Sequence, residues 1–439
     1  MRNRIFFSML LAAACLFGGC SIRTVDQMYC LPKRPESYNN LQSTIDAAMV
    51  GHEYCAPLSG ENRQTVQMAD LDGDGMQEYL LFAKNNSEKP MQILIFNQNG
   101  DDYILSDMIE STGSAFDLVE YVQMDGRGGM ELVVGRQLSD QVVRSLSVYI
   151  FVDGQAQQVM TTNYSKFLAC DLDSDGLSEL MVLRPGQTDT DSGVAELYEM
   201  ENGTVARSNE VSMSGPTDRL KRIIQGNLHE GTPAVFVGST VEENAIITDV
   251  YALVDGQFCN VSLSNESGTS VQTLRNYYVY ADDIDGDGEV ELPSLITMTP
   301  LEQGRAVERQ YLIRWYAMNA DGSEVDKMYT YHNFVGGWYV QLGAQWASRI
   351  CVSQDGNQYN FYLWNSEYTQ AEKIFSIHAL TGQNRQEQAT VEDRFVLHQN
   401  ESTVYAAQLE AAAESVGITR QILIDSFSLI HQEWKTGEM

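Results

Sequence analysis

The sequence predicts a mainly β fold: a β-propeller of four-stranded blades with acidic loops, followed by a small C-terminal α+β domain. Three observations predict it. An acidic nonapeptide recurs, a glycine-centred turn recurs in phase with it, and both markers stop near residue 335.

The nonapeptide Asp70-Leu-Asp72-Gly-Asp74-Gly-Met76-Gln-Glu78 returns as Asp171-Leu-Asp173-Ser-Asp175-Gly-Leu177-Ser-Glu179. It returns again as Asp283-Ile-Asp285-Gly-Asp287-Gly-Glu289-Val-Glu291. Two eroded copies lie between them, Gln123 to Glu131 and Gln225 to Pro233. First positions at 70, 123, 171, 225 and 283 give steps of 53, 48, 54 and 58 residues, a spacing typical of propellers and solenoids. Turns ending at Gly100, Gly154, Gly203, Gly256 and Gly322 keep the same beat. Asn-Gly and Asp-Gly between apolar runs are hairpin signals, because the tight turn needs positive φ.

Each unit reads as four strands. In the first, residues 65–68 enter the acidic loop and 79–82 leave it, while 92–96 and 102–105 flank the glycine turn. In the third, 166–169, 180–183, 195–198 and 205–207 do the same. A four-stranded antiparallel unit is one blade, and radial arrangement leaves only short edges.

Asp at positions 1, 3 and 5 of a tight glycine loop converge on one point, and a carbonyl at 7 and a carboxylate at 9 close an oxygen shell. That donor set suits Ca²⁺, which takes 6–8 oxygens at roughly 2.3–2.6 Å. Softer metals favour His or Cys. The first half also resembles an EF-hand, but that loop needs an acidic residue at position 12 and flanking helices. Position 12 here is Leu81, Val182 or Ser294, each in a strand-like run, which excludes it.

On these motifs residues 60–334 resemble the FG-GAP/VCBS repeats of integrin-α-like propellers. The resemblance implies about three Ca²⁺ sites. One uses Asp70, Asp72, Asp74 and Glu78 with the Met76 carbonyl; a second uses Asp171, Asp173, Asp175 and Glu179 with Leu177. The third uses Asp283, Asp285, Asp287 and Glu291 with Glu289. The second unit departs from the pattern, with Gln123 at position 1 and Arg127 at position 5, whose guanidinium replaces the ion's charge. The fourth, without Asp in its loop, is expected to be metal-free.

Arg2 and Arg4 precede an apolar run, Ile5 to Phe17, too short for a stable membrane span. Leu16-Phe17-Gly18-Gly19-Cys20 resembles a bacterial lipobox, so residues 1–19 read as a signal peptide and Cys20 as the lipidated residue. Cys15 is a weaker alternative, and an ordinary cleaved signal with an incidental Cys is another. Residues 20–59 then form a tether with a short helix. Seven Cys are present; without Cys15 and with Cys20 acylated five remain, Cys30, Cys55, Cys170, Cys259 and Cys351, with no Cys-x-x-Cys. Cys30 and Cys55 flank one short segment that a disulfide could close.

With 28 Lys+Arg against 60 Asp+Glu, the net charge of −32 excludes a nucleic-acid partner. Beyond residue 335, strands are expected at 337–342, 349–352, 359–364, 374–377 and 394–397, then helices over 403–416 and 419–434. Trp338, Trp346, Trp364 and Tyr362 read as core, with a sugar-stacking surface as the alternative. The six His are scattered without a catalytic context. The expected role is therefore a calcium-binding, lipid-anchored module at the extracytoplasmic face of a bacterial membrane, engaging a protein or glycan ligand. A carbohydrate-active enzyme or lyase on a calcium-stabilised propeller, and a structural envelope lipoprotein, are the alternatives.

Overall fold

The computed structural model describes residues 36–100, 102–138, 144–186, 191–241, 245–301 and 310–431. The signal segment, Cys15, Cys20 and Cys30 lie outside the described residues. The chain forms two compact units, one of Met1–Ala56, Gln64–Ala69 and Gln77–Thr112, the other of Pro57–Arg63, Asp70–Met76 and Gly113–Met439.

In the first unit, helix α1 (Glu36–Ala48) precedes β1 (Glu53–Tyr54), β2 (Val66–Ala69), β3 (Glu78–Lys84), β4 (Met91–Asn99) and β5 (Asp102–Ser111). The strands form one antiparallel sheet, with β1 and β2 both pairing with β3. Leu41 and Ile45, one helical turn apart, pack on Leu81, Ala83, Leu94 and Phe96.

The second unit is a succession of antiparallel sheets. The second sheet of the chain holds β6 (Ala115–Val122), β7 (Glu131–Gln137), β8 (Arg144–Val152) and β9 (Gln155–Tyr164). The third holds β10 (Lys166–Cys170), β11 (Glu179–Arg184), β12 (Val194–Glu201) and β13 (Thr204–Ser212). The fourth holds β14 (Leu220–Asn227), β15 (Pro233–Val241), β16 (Ala245–Val254) and β17 (Gln257–Asn260). The fifth holds β18 (Leu292–Thr297), β19 (Tyr311–Met318), β20 (Glu324–Asn333) and β21 (Trp338–Leu342). The sixth holds β22 (Ile350–Asp355), β23 (Gln358–Trp364), β24 (Ala371–Thr381), β25 (Phe395–Gln399) and β26 (Thr403–Leu409). Short helices α2 (Arg385–Gln388), α3 (Ala411–Ser415) and α4 (Arg420–Ser426) precede a last strand, β27 (Phe427–Leu429), which adds to the fifth sheet beside β21.

Each of these sheets packs on the next. Val133 and Val148 share a core with Phe167 and Val182; Met181 and Leu197 share one with Val235 and Tyr251. Phe236 and Val250 meet Leu292 and Tyr316, and Trp338 and Val340 meet Phe361 and Phe375. Middle strands are therefore covered on both faces, which is why β11 buries Leu180 through Leu183 without alternation. The predicted hairpins form. Asp153 and Gly154 have φ of 52° and 75°, Asn202 and Gly203 51° and 80°, Asp255 and Gly256 52° and 72°. Both central residues thus take the left-handed region that a two-residue turn demands.

Three expectations at the C-terminal end need correction. Residue 335 does not end the repeat's sheet, because β21 pairs with β20 through Tyr329↔Leu342 to Asn333↔Trp338. The segment 403–416 is strand β26 followed by a short helix. Ala406 and Ala407 are fully buried in ladder pairing with β24, and that tertiary pairing overrides alanine's helix propensity. The last helix stops at Ser426, where Phe427 turns into the aromatic core and its strand pairs with Val340. Trp338, Trp346 and Trp364 are buried, as a core reading requires.

Candidate metal centres

The acidic loops join strands, not helices: Cys170 pairs with Glu179, and Asp282 bridges Glu291. Between those paired residues lie eight loop residues, 171–178 and 283–290. Short Asp side chains curl the loop by accepting from backbone N–H groups further along it, an arrangement Asp favours in turns. Asp171 Oδ2 accepts from Gly176 N (3.0 Å), Asp173 Oδ1 from Asp175 N (3.1 Å) and Asp175 Oδ1 from Leu177 N (2.7 Å). In the fifth-sheet loop Asp283 Oδ2 accepts from Gly288 N (2.9 Å) and Asp287 Oδ1 from Glu289 N (2.8 Å). The loop of Asp70 to Met76 repeats the pattern, Asp70 Oδ2 accepting from Gly75 N (3.0 Å) and Asp74 Oδ1 from Met76 N (2.7 Å). Asp72 Oδ1 accepts from Asp74 N (3.2 Å), and Glu78 is buried at the start of β3.

These bonds leave carboxylate oxygens facing inward. Asp171, Asp173, Asp175 and Glu179 each bring one to within 4.8 Å of the others, as do Asp283, Asp285 and Glu291. Glu179 and Glu291 are almost wholly buried, each with one oxygen accepting from the amide at position 2, Leu172 N (2.8 Å) or Ile284 N (3.0 Å). The other Glu291 oxygen, Oε1, is buried without a hydrogen-bond partner, and so is Asp171 Oδ1. Burial, first, and the neighbouring Asp carboxylates push Glu179 and Glu291 up to about 7. An all-oxygen set with buried unpaired lone pairs fits a hard divalent cation, which would satisfy the oxygens and keep both glutamates ionised.

The loops are not equivalent. Lys327 Nζ lies 2.8 Å from Asp287 Oδ2 and 2.6 Å from Glu289 Oε2, and its hydrogen bond holds the Asp287 carboxyl below the usual range. Glu289 is also engaged by His229 Nδ1 (3.0 Å) and Glu230 N (3.1 Å). Asp287, a sequence-expected ligand, thus already holds a cation. The sequence does not mark either partner: Lys327 lies outside the nonapeptide, and His229 stands in the eroded fourth copy, whose loop lacks Asp.

The eroded loops carry substitutes. In the second sheet Arg127 Nε lies 3.3 Å from Asp125 Oδ2, and the Gln123 amide, with its oxygen toward Gly126 N (3.2 Å), mimics an aspartate. Glu131 survives there, accepting from Met124 N (2.7 Å). Burial, first, and Asp125 push it up to about 7 against the lowering effects of the Met124 N–H and Arg127. A carboxyl raised in the folded state stabilises the fold more as pH falls from about 7 towards its ordinary value, and the penalty is complete above 7. Glu131→Gln keeps the acceptor and removes the charge. It is expected to raise the thermal midpoint at pH 8 and to lose that gain at pH 5, compared by calorimetric scans.

In the fourth sheet Asn227 pairs with Pro233, leaving five loop residues, three fewer than elsewhere. Loops of successive sheets interlock: Ser178 N donates to Gln123 O (2.7 Å), Gln225 Nε2 to Ala169 O (2.7 Å) and Val290 N to Asn227 O (2.9 Å).

No family model matches the chain, and no curated protein matches it. Solved structures similar to it include an exotype rhamnogalacturonan lyase, 13% identical, covering 75% of this chain and 67% of that one, with a TM-score of 0.31. A rhamnogalacturonan lyase of Bacillus licheniformis is 13% identical over 73% of this chain and 72% of its own, TM-score 0.28. A GDP-Man-dependent mannosyltransferase of Leishmania mexicana is 12% identical over 60% and 87%, TM-score 0.23. Scores this low say nothing of this chain's activity.

Proposed function

We propose that the chain is a calcium-stabilised propeller of the FG-GAP/VCBS type, held at the extracytoplasmic face of a bacterial membrane by a lipid on Cys20. Its role is to bind a protein or glycan ligand. The reading is carried by the buried, unpartnered oxygens of Asp171 and Glu291 inside loops that recur at the same sheet corner. Four convergent carboxylates repel, each close pair by about 4 kcal/mol at an effective dielectric near 20, and a divalent cation removes that cost. The cation would be held by Asp171, Asp173, Asp175 and Glu179 and by Asp283, Asp285 and Glu291, and the loop of Asp70, Asp72 and Asp74 would offer a third set of donors. Its contribution is charge neutralisation and a rigid loop; the interlocked corner then positions neighbouring surfaces for a partner.

Titrating CaCl₂ into chelator-stripped protein by calorimetry is expected to show uptake at about three sites, with Mg²⁺ a weak competitor. Absence of uptake sinks the reading. Ligand capture lost in EGTA supports the binding role, whereas cleavage of a polysaccharide by the purified chain replaces it with the carbohydrate-active alternative.

A further inference from the structure

We infer that Lys327 is a built-in counter-cation that makes the fifth-sheet loop a weaker calcium site than the third-sheet loop, an inference that rests on the calcium reading above. The argument comes from strand register. In four sheets the residue after position 9 pairs with an aromatic residue, as Tyr79↔Phe96, Leu132↔Tyr149, Leu180↔Tyr198 and Leu292↔Tyr316. Directly opposite that aromatic residue the last strand of the hairpin bulges, leaving one residue unpaired in the ladder. It is Ser106, Val159, Ser208 and Lys327 in turn. A bulge interrupts the ladder locally, bends the strand and can re-aim a side chain.

Where the loop is fully acidic in the third sheet, the bulged residue is a serine that stays local. Ser208 Oγ donates to Leu197 O (3.3 Å) and to Glu199 Oε1 (2.7 Å). At the same register position in the fifth sheet stands a lysine long enough to reach the loop, where its ammonium contacts Asp287 and Glu289. The third-sheet loop gathers four carboxylates within 4.8 Å of one another, and in the fifth-sheet loop Asp287, held by Lys327, stands outside the group of Asp283, Asp285 and Glu291. Glu291 Oε1 still lies buried and unpartnered there, so an acceptor faces the loop while one of the loop's charges is already neutralised. An ammonium on a ligand carboxylate weakens a divalent cation twice, by occupying the oxygen and by repelling the ion. It also supports the loop when calcium is scarce.

The test exchanges the two bulge residues in the full chain and titrates each variant with CaCl₂ by calorimetry. Lys327→Ser is expected to strengthen one site by about tenfold and to lower the thermal midpoint in EGTA. Ser208→Lys is expected to weaken one site by a similar factor, an effect that loss of packing alone would not direct to calcium. Site assignment comes from repeating Lys327→Ser with Asp171→Ala and Asp173→Ala in place, where the strengthened site must remain. Calcium uptake with unchanged affinities in Lys327→Ser overturns the inference and leaves the calcium reading standing. No uptake by the wild type removes the calcium reading itself, and a lowered EGTA midpoint in Lys327→Ser still reports the lysine as the loop's counter-ion.

Discussion

Stripping calcium with EGTA is expected to lower the thermal midpoint by roughly 5–10 °C for each site emptied, the largest effect that a solution condition should have on this protein. A ligand at a hundred times its dissociation constant stabilises the native state by about 2.7 kcal/mol, and each kcal/mol moves the midpoint of a mid-sized domain by about 2–4 °C. The loop at Asp171 contributes most, because it gathers four carboxylates within 4.8 Å of one another, one more than the fifth-sheet loop, and among the described residues no ion pair engages Asp171, Asp173 or Asp175. The effect depends on pH. Without the ion, burial holds Glu179 and Glu291 at about 7, so protonation substitutes for the cation as pH falls below that value. Calcium binds the ionised form. Its increment should therefore be full above pH 7 and shrink towards pH 5. A difference between EGTA and calcium scans that grows on acidification contradicts this origin.

The repeat was legible because two independent local signals mark each unit. The Asp-x-Asp-x-Asp-Gly spacing curls a tight loop, and at Gly154, Gly203 and Gly256 the Asp-Gly or Asn-Gly pair closes a two-residue turn, whereas Asp321-Gly322 sits in a longer turn between Met318 and Glu324. The start of the fourth loop is not legible in the sequence, because its flanks keep their character while its length changes. Gln225 looks like a first position, yet β14 runs on to Asn227 and the loop loses three residues. A deletion of that kind is invisible to side-chain chemistry. Lys327 was illegible for another reason: its role depends on a bulge opposite Tyr316, and bulges follow from sheet register, which the local sequence does not display. The alanines of 406–413 were ambiguous by composition. Pairing with β24 turned the first of them into strand, and the chain bends into α3 only once the ladder ends at Leu409.

Trp338→Ala is expected to destabilise the second unit by about 3–5 kcal/mol in urea unfolding, the usual cost of emptying a large buried aromatic site. Trp338 is wholly buried at the start of β21, and its ring ties three elements together. It stacks on Phe427 of β27 (centroids 5.5 Å apart, 27° between planes), meets Tyr359 of β23 edge-on (5.1 Å, 80°) and lies 5.8 Å from Tyr331 of β20. Its truncation opens a cavity between the fifth and sixth sheets and removes the platform on which β27 docks. The damage comes from volume, not from a lost hydrogen bond, since Trp338 Nε1 is buried without a partner. Trp338→Phe should thus cost much less than the alanine variant, because it keeps most of the ring contact and removes an unsatisfied donor. Calcium uptake at Asp171 should survive both changes, as that loop shares its core with the second, third and fourth sheets. Equal losses in the two variants would place the cost in the indole N–H and contradict the packing argument.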